Sequence, residues 1–352
     1  MQTHITHGGD WAGFQQAYGR LPLDFSINLN PLGTPPGVRE ALRAAADHVD
    51  RYPDPLCREL RTALSRREGA EAAHILCGNG AADLIFRLAA ALRPKQALVT
   101  APTFGEYAAA LRCVGCSVAR YALRCENGFA VQEDILEAIV PGIGLVVLCE
   151  PNNPTGVTTP RRLLLRILER CRAVGAYLLV DECFGEFLDD PAAHTLMGET
   201  ERQPGLIILK AFTKLYAMAG ARLGYVVCGD PELLRRMQEA AQPWSVSSLA
   251  QEAGVAALGE EAYVERSRRL LREERGYLLG ELEALGLRVI PGEANYLLFQ
   301  CGRPLKERLA ERGILVRGCR DYPGLDATWY RTAVRLRDEN QQLVLALKEA
   351  LQ

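Results

Sequence analysis

The sequence has no apolar run long enough to cross a membrane and no large excess of charge of either sign. Its hydrophobic stretches stay well below the ~18 residues that a spanning helix needs. The segment from Met1 to Asp10 lacks the apolar core of a signal peptide. A formal net charge of −2 over 352 residues argues against a broad nucleic-acid-binding surface. We therefore expect a soluble, cytoplasmic protein that binds neither membranes nor nucleic acids.

Recognisable disulfide and metal patterns are also lacking. The eleven cysteines are odd in number and scattered through apolar segments, which is typical of free thiols in a reducing compartment. The CxxC motif from Cys113 to Cys116 has no second pair of ligands beside it, so we expect no metal site.

What the sequence does contain is an alternation of short apolar runs with helical patterns. Continuous apolar runs are typical of strands buried on both faces, and with helices between them they predict an α/β fold with a mainly parallel sheet. In such a sheet, ligands bind at the carboxyl ends of the strands. The runs lie at 75–77, 97–100, 145–149, 177–180, 206–209 and 225–228.

From about residue 231 the pattern changes to long, charged helices and isolated strands. This change predicts a second, smaller α+β domain, with strands at 287–290 and 295–299 and a further strand near 332–334. We expect an N-terminal arm that packs with the small domain, then a large cofactor-binding domain, then the small C-terminal domain. The expected boundaries are 1–45, 46–235 and 236–352.

Chemically unusual residues follow the predicted strands. The segment Gly78-Asn79-Gly80 opens a helix whose N-terminal amides suit an anion, although such a glycine turn is more often only a turn. Asn153 lies in the restricted loop at 151–156. Asp181 ends a buried strand, where a carboxylate needs a cationic partner such as a protonated pyridine nitrogen. A helix N-cap is the alternative for Asp181.

A lysine and an arginine complete the pattern. The amine of Lys214 is a Schiff-base nucleophile where its surroundings lower its pKa, and the planar guanidinium of Arg222 matches phosphate geometry. Either residue alone would more often be surface charge. Their order along the chain, after Asn153 and Asp181, favours one shared site.

The chain resembles the aspartate-aminotransferase superfamily of pyridoxal-phosphate enzymes over nearly its whole length. The resemblance implies their fold, fold type I, with pyridoxal 5′-phosphate as the cofactor. It implies that Lys214 holds the cofactor as a Schiff base, that Asp181 pairs with the pyridine nitrogen and that Asn153 pairs with the phenolic oxygen. It also implies that Tyr107 stacks on the ring of the cofactor. The residues that carry the resemblance are Tyr52, Gly80, Ala81, Tyr107, Asn153, Asp181, Lys214 and Arg222.

The same resemblance implies a phosphate site and a partner subunit. The resemblance implies that the cofactor phosphate rests on the amides of Gly80 and Ala81, with Thr213 and Arg222. Tyr52 reaches the phosphate of the partner subunit, which implies a homodimer with shared active sites.

Two positions depart from the common pattern of this superfamily. Ala211 stands where many members have a Ser or Thr on the phosphate, so one hydrogen bond is missing. Phe184 stands where many aminotransferases have a Tyr that donates to the phenolic oxygen. The second change alters the electronics of the cofactor without removing its electron sink.

Within the superfamily the chain resembles two groups in particular, the histidinol-phosphate aminotransferases and the threonine-phosphate decarboxylases of cobalamin biosynthesis. Segments 7–9, 24–33, 313–322 and 330–335 favour the decarboxylases. That resemblance implies decarboxylation of L-threonine O-3-phosphate to (R)-1-amino-2-propanol O-2-phosphate and CO2. Histidinol-phosphate transamination is the alternative. A pyridoxal-phosphate-binding regulator without catalysis is a remote one, because such regulators carry a DNA-binding module ahead of this domain.

A small phosphorylated amino acid needs cations for both its carboxylate and its phosphate. Arg331 matches the carboxylate-binding arginine of the superfamily, and Arg335 is expected on the same face of one strand. A solvated strand arginine is the alternative for Arg335, and a mobile terminal histidine is the alternative for His7. The residues expected to bind substrate are His7, Gly8, Asn30, Asn153, Arg331 and Arg335.

Overall fold

The computed structural model describes residues 7–352, so residues 1–6 of the predicted arm lie outside the described range. Helices and strands alternate through the middle of the chain because apolar runs there are separated by amphipathic segments. The strands are β1 Leu23–Asp24, β2 Ile75–Gly78, β3 Gln96–Ala101, β4 Ser117–Ala122, β5 Ile143–Cys149, β6 Tyr177–Asp181, β7 Leu206–Ala211, β8 Gly224–Cys228, β9 Arg288–Ile290, β10 Tyr296–Gln300, β11 Ile314–Leu315, β12 Arg317–Gly318 and β13 Trp329–Ala333. The helices are α1 Trp11–Tyr18, α2 Pro36–Ala45, α3 Arg58–Glu68, α4 Ala81–Leu92, α5 Gly105–Cys113, α6 Ile135–Ala138, α7 Arg161–Val174, α8 Pro191–His194, α9 Phe212–Leu215, α10 Pro231–Glu239, α11 Ser248–Leu258, α12 Glu261–Ala284, α13 Lys306–Glu311 and α14 Arg337–Leu351.

A seven-stranded sheet forms the centre of the molecule, in the order β2-β8-β7-β6-β5-β3-β4. All neighbouring strands pair in parallel except β8, which is antiparallel to both β2 and β7. This arrangement confirms the predicted α/β fold with a mainly parallel sheet. The inner strands β5, β6 and β7 are almost completely buried, as their continuous apolar sequences predict.

The edge strand β4 was not predicted from the sequence. Each of its residues is exposed or only partly buried, and they include Arg120 and Tyr121. An edge strand needs only one neighbour, here β3 in parallel register, so it does not require an apolar run. Its sequence therefore lacks the signal that marks the inner strands.

A second, antiparallel sheet has the order β12-β13-β10-β9 and is followed by α14. The N-terminal segment contacts this region: β1 pairs in parallel with β11, and the amide of Ala333 donates to the carbonyl of Phe25 at 2.9 Å. The division into an arm, a large domain and a small domain remains a proposal. Within residues 7–352, no helix combines the length and apolarity needed to cross a bilayer.

Candidate active site

A cavity of about 420 Å³ opens where the parallel strands end at their carboxyl side. Loops after β3, β5, β6 and β7 supply one wall, and the segments at 7–8 and 26–28, together with β12 and β13, supply the other. The side chains that the argument uses from its lining are His7, Asn28, Tyr107, Asn153, Asp181, Phe184, Thr213, Lys214, Arg222, Arg317 and Arg331. Cationic groups clearly outnumber Asp181 and Glu106, the two carboxylates of the lining.

Lys214 lies on α9, a single helical turn that directly follows β7. Burial, together with the nearby charge of Arg331, lowers the pKa of the Lys214 amine to about 8. Its Nζ lies 5.6 Å above the centre of the Phe184 ring, a surface that offers no hydrogen-bond acceptor. A lysine in such surroundings is a far better nucleophile near neutral pH than an exposed one.

Asp181 is the last residue of β6 and is almost completely buried. Its Oδ1 accepts a hydrogen bond from the amide of Cys183 at 3.0 Å, and its Oδ2 accepts one from the hydroxyl of Tyr107 at 2.6 Å. Burial raises the pKa of this carboxyl group, and these two hydrogen bonds only partly oppose the effect. Within the described residues the carboxylate has no ion-pair partner. A cationic group from a ligand would supply one.

The N-terminus of α4 forms a cradle that only glycine permits. Gly80 has a φ of +83°, and a Cβ there would lie 2.7 Å from Nη2 of Arg222. A Cβ on Gly224 would lie 2.8 Å from the amide nitrogen of Ala81. The amide end of the helix and the guanidinium of Arg222 therefore meet at one point, which suits a phosphate. Thr213 lines the same cavity.

Arg222 itself has a φ of 59°, a left-handed conformation that is strained for a residue with a side chain. Its Nη1 donates to the carbonyl of Ala219 at 3.3 Å. In residues 7–352 no carboxylate pairs with this guanidinium. Backbone strain and an unneutralised charge at the same residue are typical of a functional site.

Arg331 and Asn153 are joined across the cavity. Nη1 of Arg331 donates to Oδ1 of Asn153, Nη2 donates to the carbonyl of Ser26 at 2.8 Å, and the guanidinium lies 5.5 Å from the Tyr296 ring centre. These contacts fix the arginine, which has no carboxylate partner among the described residues. They also leave Nδ2 of Asn153 as the donor available to a ligand.

Two of the predicted substrate residues lie at the mouth of the cavity. Nε2 of His7 is 2.8 Å from Oε1 of Glu106, and Gly8 lies against Ser26 so closely that a Cβ would be 2.3 Å from its carbonyl oxygen. Gly8 therefore lets the N-terminal segment pass directly over the residue that also holds Arg331.

Asn30 and Arg335 are not brought into the cavity. Nδ2 of Asn30 donates to the carbonyl of Leu215 at 2.8 Å and to Oγ of Ser267 at 2.6 Å, behind Lys214. The strand that carries Arg331 ends at Ala333, so Arg335 does not share its face, and the predicted pair of strand arginines does not form. Nη2 of Arg335 instead pairs with Oε1 of Glu339 at 2.7 Å.

The sequence argument missed Asn28 and Arg317, which do line the cavity. Asn28 is buried and its Oδ1 accepts no hydrogen bond within the described residues. Arg317 pairs with Asp321 at 2.6 Å and stacks at 5.3 Å over Tyr322. Both residues lie in segments already noted for their resemblance, but a sequence segment does not show which side chain faces inward.

Tyr52 lies outside the cavity of its own chain. It is 79% exposed and stacks on Trp244 with ring centres 4.4 Å apart. The side chain of Tyr52 is therefore exposed enough to contact a partner subunit. That role remains a prediction.

The residues present fit pyridoxal 5′-phosphate. Lys214 offers an amine with a lowered pKa, Asp181 offers a buried carboxylate without its own cation, and Arg222 offers a charge at a helix N-terminus. Asn153 lines the same cavity and offers Nδ2 as a donor, as the phenolic oxygen of the cofactor requires.

Comparison with known proteins identifies the family of this chain. Residues 22–347 match the family described as aminotransferase class I and II. The chain is 40% identical over 352 residues to the threonine-phosphate decarboxylase of Salmonella typhimurium, which covers 98% of this chain and 96% of that protein. It is 37% identical over 335 residues to a histidinol-phosphate aminotransferase of Desulfitobacterium hafniense, covering 92% and 90%.

A solved structure shows the same fold. The histidinol-phosphate aminotransferase of Clostridium acetobutylicum superposes with a TM-score of 0.87 at 26% identity, covering 93% of this chain and 98% of that one. This chain therefore belongs to the aminotransferase class I and II family, whose enzymes use pyridoxal phosphate as their cofactor.

Proposed function

We propose that this chain decarboxylates L-threonine O-3-phosphate to (R)-1-amino-2-propanol O-2-phosphate, as a step in cobalamin biosynthesis. The observation that carries the proposal is the number of cationic groups around one cavity. Arg222, Arg317 and Arg331 line it, one guanidinium more than the cofactor phosphate and one substrate carboxylate would need, and the imidazole of His7 lines it as well. The 40% identity to a threonine-phosphate decarboxylase, over nearly both whole chains, supports the same reaction.

In this proposal the cofactor phosphate, the substrate carboxylate and the substrate phosphate each have a separate binding site. The cradle at Gly80 and Arg222 takes the cofactor phosphate, and Arg331 takes the substrate carboxylate. Arg317 and His7, which line the cavity from segments other than the cradle, take the substrate phosphate. A phosphate monoester needs such charge-assisted hydrogen bonds to leave water.

Bond selection depends on how the carboxylate is held. Bound pyridoxal phosphate supplies an electron sink for whichever Cα bond stands perpendicular to its ring. Arg331 is fixed by Asn153 and Ser26, so it can hold the carboxylate in one orientation. Lys214, with its pKa near 8, can hold a proton close to Cα and deliver it there after CO2 has left.

Histidinol-phosphate transamination is the second candidate. The 37% identity to an aminotransferase of that specificity and the close fold match favour it. The same cavity would then hold the substrate phosphate, and Lys214 would remove the Cα proton instead of donating one.

The proposed enzyme is a homodimer with shared sites. Enzymes of this fold are generally dimeric, and Tyr52 projects from its own subunit with most of its ring exposed. In the proposed dimer the ring of Tyr52 is buried against the second copy of the chain, beside the cofactor phosphate of that second copy.

A substrate panel tests the proposed reaction. Purified holoenzyme should release CO2 from L-threonine O-3-phosphate with no need for 2-oxoglutarate, and Lys214→Ala should release none. A preference for serine phosphate would be a small correction, because one methyl group in a pocket is worth only ~1–3 kcal/mol. Amino transfer from histidinol phosphate to 2-oxoglutarate, without CO2 release from threonine phosphate, would establish the second candidate instead.

A further inference from the structure

A carboxylate lies directly beneath the helix end that forms the phosphate cradle. Oδ2 of Asp83, in the first turn of α4, accepts a hydrogen bond from the amide of Asn79 at 2.7 Å. The same atom is 3.0 Å from the position that a Cβ on Gly78 would occupy. Asp83 therefore holds the turn at 78–80 in the conformation that presents the amide end of the helix.

This position creates an electrostatic conflict. The N-terminus of a helix favours an anion because its amides are unpaired and its dipole is positive there. The carboxylate of Asp83 is a second anion at this end, because it is hydrogen-bonded to the amide of Asn79, the neighbour of Gly80. It repels a phosphate bound there. The carboxylate of Asp83 therefore stabilises the conformation of the turn but disfavours the binding of a phosphate.

Arg87 lies one helical turn further along α4 and is only 3% exposed. Its Nε donates to Oδ1 of Asp83 at 2.9 Å, and its Nη2 pairs with Oδ2. Nη2 also donates to Oγ of Ser245 at 2.8 Å, while Nη1 is buried and has no hydrogen-bond partner within residues 7–352. Burying a guanidinium that is incompletely hydrogen-bonded costs free energy. We infer that the positive charge of Arg87, rather than its full set of hydrogen bonds, is what this position requires.

We propose that Arg87 is a positioning residue for the cofactor phosphate. It neutralises Asp83, so that the carboxylate can hold the turn at 78–80 without repelling the phosphate bound at the end of α4. The inference rests on the proposed placement of the cofactor phosphate at Gly80 and Arg222. In this proposal the Asp83–Arg87 pair contributes to the affinity for the cofactor as well as to the stability of α4.

The test compares binding of pyridoxal phosphate with binding of pyridoxal, which has the same aldehyde but no phosphate. Both form the same bond with Lys214. The dissociation constant of pyridoxal divided by that of pyridoxal phosphate therefore measures the contribution of the phosphate group to binding. In Arg87→Met an unpaired carboxylate remains beneath the cradle, and we expect this ratio to fall about tenfold, the size of a close like-charge interaction in partly screened surroundings. Pyridoxal affinity itself should change little.

A second substitution separates charge from structure. Asp83→Asn keeps an oxygen acceptor for the amide of Asn79 but removes the negative charge. The double variant Asp83→Asn/Arg87→Met should therefore regain the ratio that Arg87→Met loses, whereas a merely structural role would make the two losses add. Asp83→Asn alone should raise the ratio, which keeps the test valid even if Arg87→Met does not fold.

Ser245→Ala is the matched control, because it removes a hydrogen bond of Arg87 and keeps the ion pair. It should leave the ratio unchanged. If Asp83→Asn fails to raise the ratio, or the double variant fails to regain it, Arg87 does not act through the phosphate. Arg222→Ala distinguishes the remaining case: if it leaves the ratio unchanged, the phosphate does not bind at this cradle and the proposed site itself is wrong.

Discussion

At the scale of single residues, the proposed attachment of the cofactor to Lys214 predicts a specific pH dependence. Only the neutral amine attacks an aldehyde, and burial with the charge of Arg331 lowers its pKa from 10.5 to about 8. Covalent capture of pyridoxal phosphate by the apo-protein should therefore accelerate as the pH rises through about 8, as followed by stopped-flow absorbance. Arg331→Met removes a neighbouring cation and should move this midpoint to higher pH. An unchanged midpoint would show that Arg331 does not affect the lysine.

Asp181 and Lys214, singled out in the sequence because their chemistry is unusual where they occur, do line the cavity. A carboxylate at the end of an apolar strand and a lysine after the next strand both require a ligand or a partner. The sequence could not predict that Asn28 faces the cavity while Asn30 lies behind Lys214, since that depends on the exact path of an irregular segment. Arg335 was misplaced because the end of β13 is set by pairing with β10, at Ala333.

At the scale of elements, the contact between β8 and α4 determines where the helix end lies. A Cβ on Gly224 would be 2.8 Å from the amide nitrogen of Ala81 and 3.1 Å from the carbonyl oxygen of Lys210. Gly224→Ala should therefore lower the free energy of unfolding by ~1–3 kcal/mol, as overpacking does, and weaken cofactor binding by displacing α4. Urea unfolding and pyridoxal-phosphate titration measure the two effects.

Gly276→Ala is the control for this substitution. Gly276 lies on an exposed part of α12, and a Cβ there would meet nothing within 4 Å. The change should stabilise the protein by up to ~1 kcal/mol, because alanine loses less conformational freedom in a helix. Equal effects of the two substitutions would mean that the β8–α4 contact tolerates a methyl group.

The pairing of strands shows where sequence patterns stop being informative. The apolar runs of β5, β6 and β7 identify buried strands, but nothing in them shows that β8 inserts antiparallel between β2 and β7. That direction follows from the short connection through α9, which carries Lys214 and turns the chain back. The direction of the chain around Lys214 is therefore set by three-dimensional packing and is not visible in the sequence pattern.

At the scale of the whole molecule, the proposed shared site predicts complementation between inactive subunits. A heterodimer of Lys214→Ala and Tyr52→Ala chains contains one site with both defects and one site with neither. Co-expressed with two different tags and purified as the heterodimer, it should recover about half of the wild-type activity per dimer, whereas each homodimer is impaired. Recovery would be absent if Tyr52 acts only within its own subunit.

The choice of the bond that breaks is tested most directly with L-threonine O-3-phosphate that carries deuterium on Cα. In decarboxylation the bond from Cα to the carboxylate breaks, CO2 leaves, and one proton from solvent is added to Cα. The account predicts an amino alcohol phosphate that retains the original deuterium beside one new hydrogen, as seen by mass spectrometry. A keto acid product, with the deuterium lost to water, would contradict it and establish transamination.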